Sequence, residues 1–162
     1  MTDIEKLILH NLLRNETYSR KVTPFLKREY FHDRSMRFVF ETIHDFIQKY
    51  NNLPTKEALY IILDKNKSIT QEELKRVSLI IEEISNNQES SDIEWLVNET
   101  ESFCKEKAVY NAIMESIQII DGKSQQSQGS IPDILSKALA VSFDVHIGHD
   151  YIEDYEKRYD FY

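Results

Sequence analysis

Glycine is nearly missing from this 162-residue chain. There are three, Gly122, Gly129 and Gly148, so the first 121 residues contain none. Strand reversals favour glycine at positive φ, and a sheet protein without it is hard to build. An all-α fold is therefore expected. Prolines are equally few, and Pro24, Pro54 and Pro132 each sit where a helix begins or bends. The single cysteine, Cys104, excludes an internal disulfide, fits a reducing compartment and has no CxxC partner. Neither GxxxxGK[ST] nor GxGxxG occurs, so these residues build no phosphate cradle of either type. No apolar run approaches a bilayer span, and the N-terminus has no secretory apolar region. A soluble cytoplasmic protein with no membrane partner is expected.

The formal charge is −8, unevenly spread. Residues 1–38 carry eight Lys/Arg against five Asp/Glu, whereas residues 39–162 carry 12 against 23. Most of the chain therefore repels phosphate, and the mildly basic start reads as a solvated face before it reads as a nucleic-acid site.

Asp3 or Thr2 can cap a first helix with Ile4, Leu7, Ile8 and Leu12 on one face. Asn15-Glu16-Thr17 breaks it, and residues 18–27 form a second helix bent by Pro24. Tyr30 and Phe31 then enter the core from a short docking segment. Residues 35–50 place Met36, Val39, Phe40, Ile43, Ile47 and Tyr50 at helical spacing. Thr55 starts a fourth helix running through Leu63, and the Thr70–Glu73 capping box opens a fifth that ends from Asn86. Residues 1–91 are thus expected to be one small helical bundle.

Residues 92–121 follow as a helix of about 45 Å, longer than such a bundle is wide, so part of it should project. Leu96, Phe103, Tyr110 and Ile117 recur every seven residues, joined distally by Ile113 and Ile120. Gly122 to Gly129 reads as a flexible polar joint. Ser130-Ile131-Pro132-Asp133 starts a short helix over residues 131–143, with Ile131, Leu135, Leu139 and Phe143 at i+4, flanked by Ile134 and Ala138. The two helices predict an antiparallel hairpin over residues 92–143. Two helices cannot bury both apolar faces alone, so a second copy is expected to complete a four-helix arrangement. The residues expected to pair subunits are Phe103, Tyr110, Ile113, Ile117, Ile120, Ile134, Leu135, Leu139 and Phe143.

After a break at Gly148-His149-Asp150, Tyr151, Tyr155, Tyr159 and Tyr162 form an aromatic stripe, with Ile152 beside it and Glu153, Asp154, Glu156, Lys157 and Arg158 around it. It suits docking in a groove, and its acids oppose base stacking. The pattern stops without a helix-ending signal, so a longer parent protein is expected.

Nothing in the chain announces catalysis. His146, His149 and Asp150 are too few for a metal centre, and no fourth ligand is obvious. His10, His32 and His44 are isolated, and the acid pairs Glu72-Glu73 and Glu82-Glu83 sit on helix faces. No catalytic residue, cofactor or metal is assigned.

The chain resembles the N-terminal part of DnaB-type replicative helicases, above all those of T-even-like tailed bacteriophages. The general part of the likeness is Leu9 to Leu13, Glu29-Tyr30-Phe31, Arg37-Phe38-Val39-Phe40-Glu41 and Leu53-Pro54-Thr55. The specific part is Trp95-Leu96-Val97-x-Glu99-Thr100-Glu101, Ile131-Pro132-Asp133-Ile134, Ala138-Leu139-x-Val141-Ser142-Phe143-Asp144, Gly148-His149-Asp150 and Asp154-Tyr155-Glu156. The resemblance implies a collar domain, a hairpin through which subunits of a hexamer pair, and, over residues 144–162, a joint and the start of a linker helix. Tyr151, Ile152, Tyr155 and Tyr159 would dock that helix on a motor domain. It implies a parent that is an ATP- and Mg-dependent DNA helicase passing single-stranded DNA through its ring in the host bacterial cytoplasm, with primase and helicase loader as partners. This chain alone would not be the enzyme. Two other readings stand beside it, a stand-alone helical adaptor for another replication protein and a DNA-binding module using the basic N-terminal segment.

Overall fold

A computed structural model describes residues 3–86 and 91–143. Among the described residues seven α-helices run in order: α1 (Ile4–Arg14), α2 (Glu16–Val22), α3 (Arg34–Tyr50), α4 (Lys56–Lys65), α5 (Gln71–Asn86), α6 (Ile93–Ile120) and α7 (Ile131–Leu139). Short 3₁₀ turns, Arg28–Tyr30 and Gln128–Ser130, precede α3 and α7. Among the described residues there is no strand, as the glycine count predicts.

The starts of α1 to α6 follow from side-chain caps. Asp3, Asn15, Asp33 and Thr55 each accept a hydrogen bond from a first-turn backbone N–H of α1, α2, α3 and α4. Thr70 accepts from Glu73 N at 3.2 Å before α5, and Asp92 from Trp95 N at 2.9 Å before α6. The second helix is shorter than expected. It ends at Val22, because Pro24 has no N–H to continue the ladder, and Phe25 and Leu26 instead donate to the Val22 carbonyl.

The chain divides into two compact units, Met1–Thr100 and Glu101–Tyr162, so the division falls inside α6 and not at its start. In the first unit α3 contacts α1, α4, α5 and the first 3₁₀ turn. Its core includes Ile8, Leu9, Leu12, Val39, Ile43, Leu59, Leu63 and Ile84. Phe31, with no exposed surface, stacks on Phe40 with centroids 4.7 Å apart, and Tyr30 is buried beside it, as the docking segment predicts. His10 is a core histidine whose Nδ1 lies 2.6 Å from the Ile84 carbonyl and must donate to it. The first turns of α6 join this core through fully buried Leu96 and Thr100. The Thr100 hydroxyl donates to the Leu96 carbonyl, so Tyr18, 2.7 Å away, is the donor to Thr100.

A polar clip joins α4 to α5. The Glu82 carboxylate accepts from the Tyr60 hydroxyl and from Lys56 Nζ, which holds it below the usual carboxylate range. Burial, then the bond to Glu82, pushes Tyr60 up to about 12. An unfolded tyrosine ionises near 10. The clip therefore contributes its full stability between the ordinary carboxylate range and about pH 10; it is lost in acid as Glu82 protonates, and in base as pH rises through about 12. Urea unfolding at pH 8 and at pH 11 is expected to show this loss, and Tyr60→Phe is expected to shrink the difference between the two. An unchanged difference would remove Tyr60 as its source.

Candidate interaction surface

The second unit is built around the distal part of α6. The whole helix has 28 residues, about 42 Å at the α-helical rise. It stops by a Schellman closure: Lys123 N donates to the Gln118 carbonyl and Gly122 N to that of Ile119, with Gly122 at φ +74°. Only glycine holds that backbone without strain.

The polar joint is more ordered than its composition suggests. Gln126 Nε2 donates to Glu115 at 3.0 Å, Gln126 N to the Ser124 hydroxyl, and the Ser130 hydroxyl to the Ser127 carbonyl. Serines and glutamines here supply local hydrogen bonds that close a turn. Pro132 then stands in the first turn of α7, where its missing N–H costs nothing.

α7 ends at Leu139, not at Phe143, so Phe143 is not the fourth member of the expected i+4 row. The chain instead returns to the base of the hairpin. Glu101 Oε2 accepts from Phe143 N–H at 2.9 Å and from the Ser142 hydroxyl at 3.3 Å. A carboxylate gives these groups a charge-assisted partner that a further helical turn would not. Glu101→Ala is expected to expose the Phe143 amide, raising its hydrogen exchange by about tenfold or more. Unaltered exchange there would show that the bond does not hold the return.

Distal α6 buries its small residues. Cys104, Ala108, Ala112, Ser116 and Ile119 are buried, and on α7 the buried residue is Ala138. At about 100° per residue they share one face of α6. The opposite face carries the large apolar side chains: Tyr110 is 51% exposed, Ile113 46%, Met114 40%, Ile117 42% and Ile120 60%. On α7, Leu139 is 74% exposed, and Ile134 and Leu135 are half-buried. Of the residues expected to pair subunits, Phe103 and Phe143 are buried within the chain. Tyr110, Ile113, Ile117, Ile120 and Leu139 stand open. Lys107 lies 6.0 Å from the centre of the Tyr110 ring, at the edge of the stripe.

Three features escaped the sequence reading. Met114 belongs to the stripe, and its i+4 spacing from Tyr110 was the available signal. The small-residue face was visible as Cys104, Ala108, Ala112 and Ser116 at i+4, but such residues carry little weight in an apolar pattern. Glu101 has no local signal, since its partners lie some forty residues on. Tyr151, Ile152, Tyr155 and Tyr159, like the pair His146 and His149, lie outside the described residues. Among the described residues, no helix is long and apolar enough to cross a membrane.

What this surface offers is area and shape, not chemistry. An exposed apolar stripe of this kind is the sort of surface that a protein–protein contact buries.

No protein-family model matches the chain. It is 33% identical over 163 residues to the DnaB-like replicative helicase of Enterobacteria phage T4, an alignment covering 95% of this chain and 34% of that protein. The resemblance to the DnaB-type helicases of T-even-like phages is borne out across nearly the whole chain. The chain spans about a third of the length of this relative.

Proposed function

We propose that the chain is the N-terminal assembly region of a hexameric phage replicative DNA helicase. Its globular unit forms the collar of the ring, its hairpin pairs subunits, and residues 144–162 lead as a linker to a motor domain. Primase and helicase loader act on this collar. On this reading ATP hydrolysis with Mg, passage of single-stranded DNA and unwinding belong to that motor domain. The chain's own part is then a scaffold: it holds neighbouring motors at fixed spacing and carries no reacting group.

One observation carries this reading. From Cys104 onward the buried face of α6 is mostly small, while Tyr110, Ile113, Met114, Ile117 and Ile120 stand outside, an arrangement that favours cover by another chain. A two-fold contact would bring the same stripe from both copies together, since such an interface is self-complementary. Sedimentation equilibrium tests it. Pairing hairpins give at least a dimer at high micromolar concentration, and a strict monomer throughout that range overturns the reading.

A further inference from the structure

We propose that the outer face of α3 is a second docking groove, one that takes a peptide segment of a partner protein, acidic at one end and apolar at the other. The groove is independent of hairpin pairing and lies wholly in the first unit. Two adjoining clefts, of about 400 and 340 Å³, share Phe38 and Glu41 as common walls. Along α3 the rows Arg37, Glu41, Asp45, Lys49 and Phe38, Thr42, Phe46, Tyr50 repeat at i+4, so one helix face floors both clefts. From Arg37 to Tyr50 it runs about 20 Å at the α-helical rise.

The two ends differ in chemistry. At one, Arg28, Arg34 and Arg37 converge on the first cleft, which Glu41 and Glu73 also line, so a single net positive charge remains there. Arg28 reaches Glu41 at 3.1 Å and Arg34 reaches Glu73 at 3.3 Å, but both arginine side chains are mostly exposed, at 62% and 78%. Such exposed pairs hold weakly, so an incoming carboxylate can share their guanidinium groups. Among the described residues Arg37 donates to the Phe31 and His32 carbonyls, which do not neutralise it. At the other end Phe46 and exposed Tyr50 stand with ring centroids 4.8 Å apart, beside Ile62.

Charge placement selects the occupant. The chain as a whole is acidic, so this end is a local positive site against a repelling background. A single nucleic-acid strand would fit the arginines, but it carries a phosphate at every nucleotide. Laid along the groove, it would pass Glu41 and then Asp45 on its way to the aromatic end. A segment whose acids are confined to one end meets the arginines and then presents apolar side chains to Phe46 and Tyr50. That is the chemistry both clefts fit.

The test uses short fluorescein-labelled peptides, three glutamates at one end and leucine and phenylalanine at the other, in both chain directions, with an oligo-dT of matching length. Fluorescence anisotropy with the whole chain is expected to show binding by one peptide direction. Arg28→Ala with Arg34→Ala is expected to weaken it about tenfold, as is Tyr50→Ser alone. All three positions are exposed, so melting temperature should stay put. Binding by neither peptide, or binding indifferent to both variants, overturns the proposal. So does oligo-dT binding that these substitutions abolish, which would make the groove a nucleic-acid site.

Discussion

Ile117→Asp and Leu139→Asp are each expected to leave the chain folded but dissociate it. Ile117 is 42% exposed and Leu139 is 74% exposed, so a carboxylate at either position remains solvated within one copy. In a hairpin-to-hairpin contact the same carboxylate would be desolvated without a partner. Losing an apolar anchor of this size costs about 2 kcal/mol, roughly thirtyfold in dissociation constant. In a two-fold interface each substitution acts twice. Light scattering at high micromolar concentration should therefore report a monomer for either variant and at least a dimer for the unmodified chain. Circular dichroism should report the same helix content for the two variants as for the unmodified chain. Equal assembly of the variants and the parent chain would place the contact elsewhere. Ala112→Asp makes the opposite comparison: its side chain is buried, so that change disturbs the hairpin itself.

The sequence exposes the start of each helix more clearly than the direction each helix faces. Asp3, Thr55, Thr70 and Asp92 are capping residues whose bonds are local, so the chain order alone reveals them; Asn15 and Asp33 cap α2 and α3 in the same way, and these helices begin two residues and one residue ahead of the starts expected from the apolar spacing. The seven-residue series from Leu96 to Ile117 is also real, yet it does not mark one buried face. Leu96 and Phe103 are buried, while Tyr110 and Ile117 are exposed. An α-helix has about 3.6 residues per turn, so such a series drifts by some 20° per repeat. That drift is too small to explain the change. What changes is the neighbour, and sequence spacing carries no information about where a neighbour ends. The C-terminus of α7 failed for a related reason. The i+4 row continues through Phe143, but Glu101 offers the Phe143 amide a stronger partner from a distant point in the chain. The compact division at Thr100 has the same origin, since the Tyr18–Thr100 bond ties the first turns of α6 to a residue eighty-two positions earlier.

Phe31→Ala is expected to have the largest effect on stability of any single truncation in the first unit. Phe31 lies just beyond the 3₁₀ turn, on backbone that no helix supports, and yet has no exposed surface. Its ring stacks on Phe40 of α3, and its carbonyl accepts from Arg37 Nε at 3.2 Å. The segment is thus fastened to α3 at two points, one apolar and one polar. Removing the ring deletes the apolar point and leaves a cavity beside Phe40. Because the backbone stays pinned by Arg37, the segment cannot collapse to fill that space. Truncations of this kind cost about 3–5 kcal/mol, and the upper part of the range applies where the site cannot relax. For a unit of this size that corresponds to a fall in melting temperature on the order of 15 °C or more. Ile61→Ala, at a position 56% exposed on α4, should change it by about 2–4 °C at most, about 0.5 kcal/mol or less. A fall of under about 5 °C for Phe31→Ala would mean that the aromatic segment is a surface strap and not part of the core. The groove on α3 would then lose its rigid wall, because Arg37 is held in place by the same carbonyls that Phe31 and His32 present.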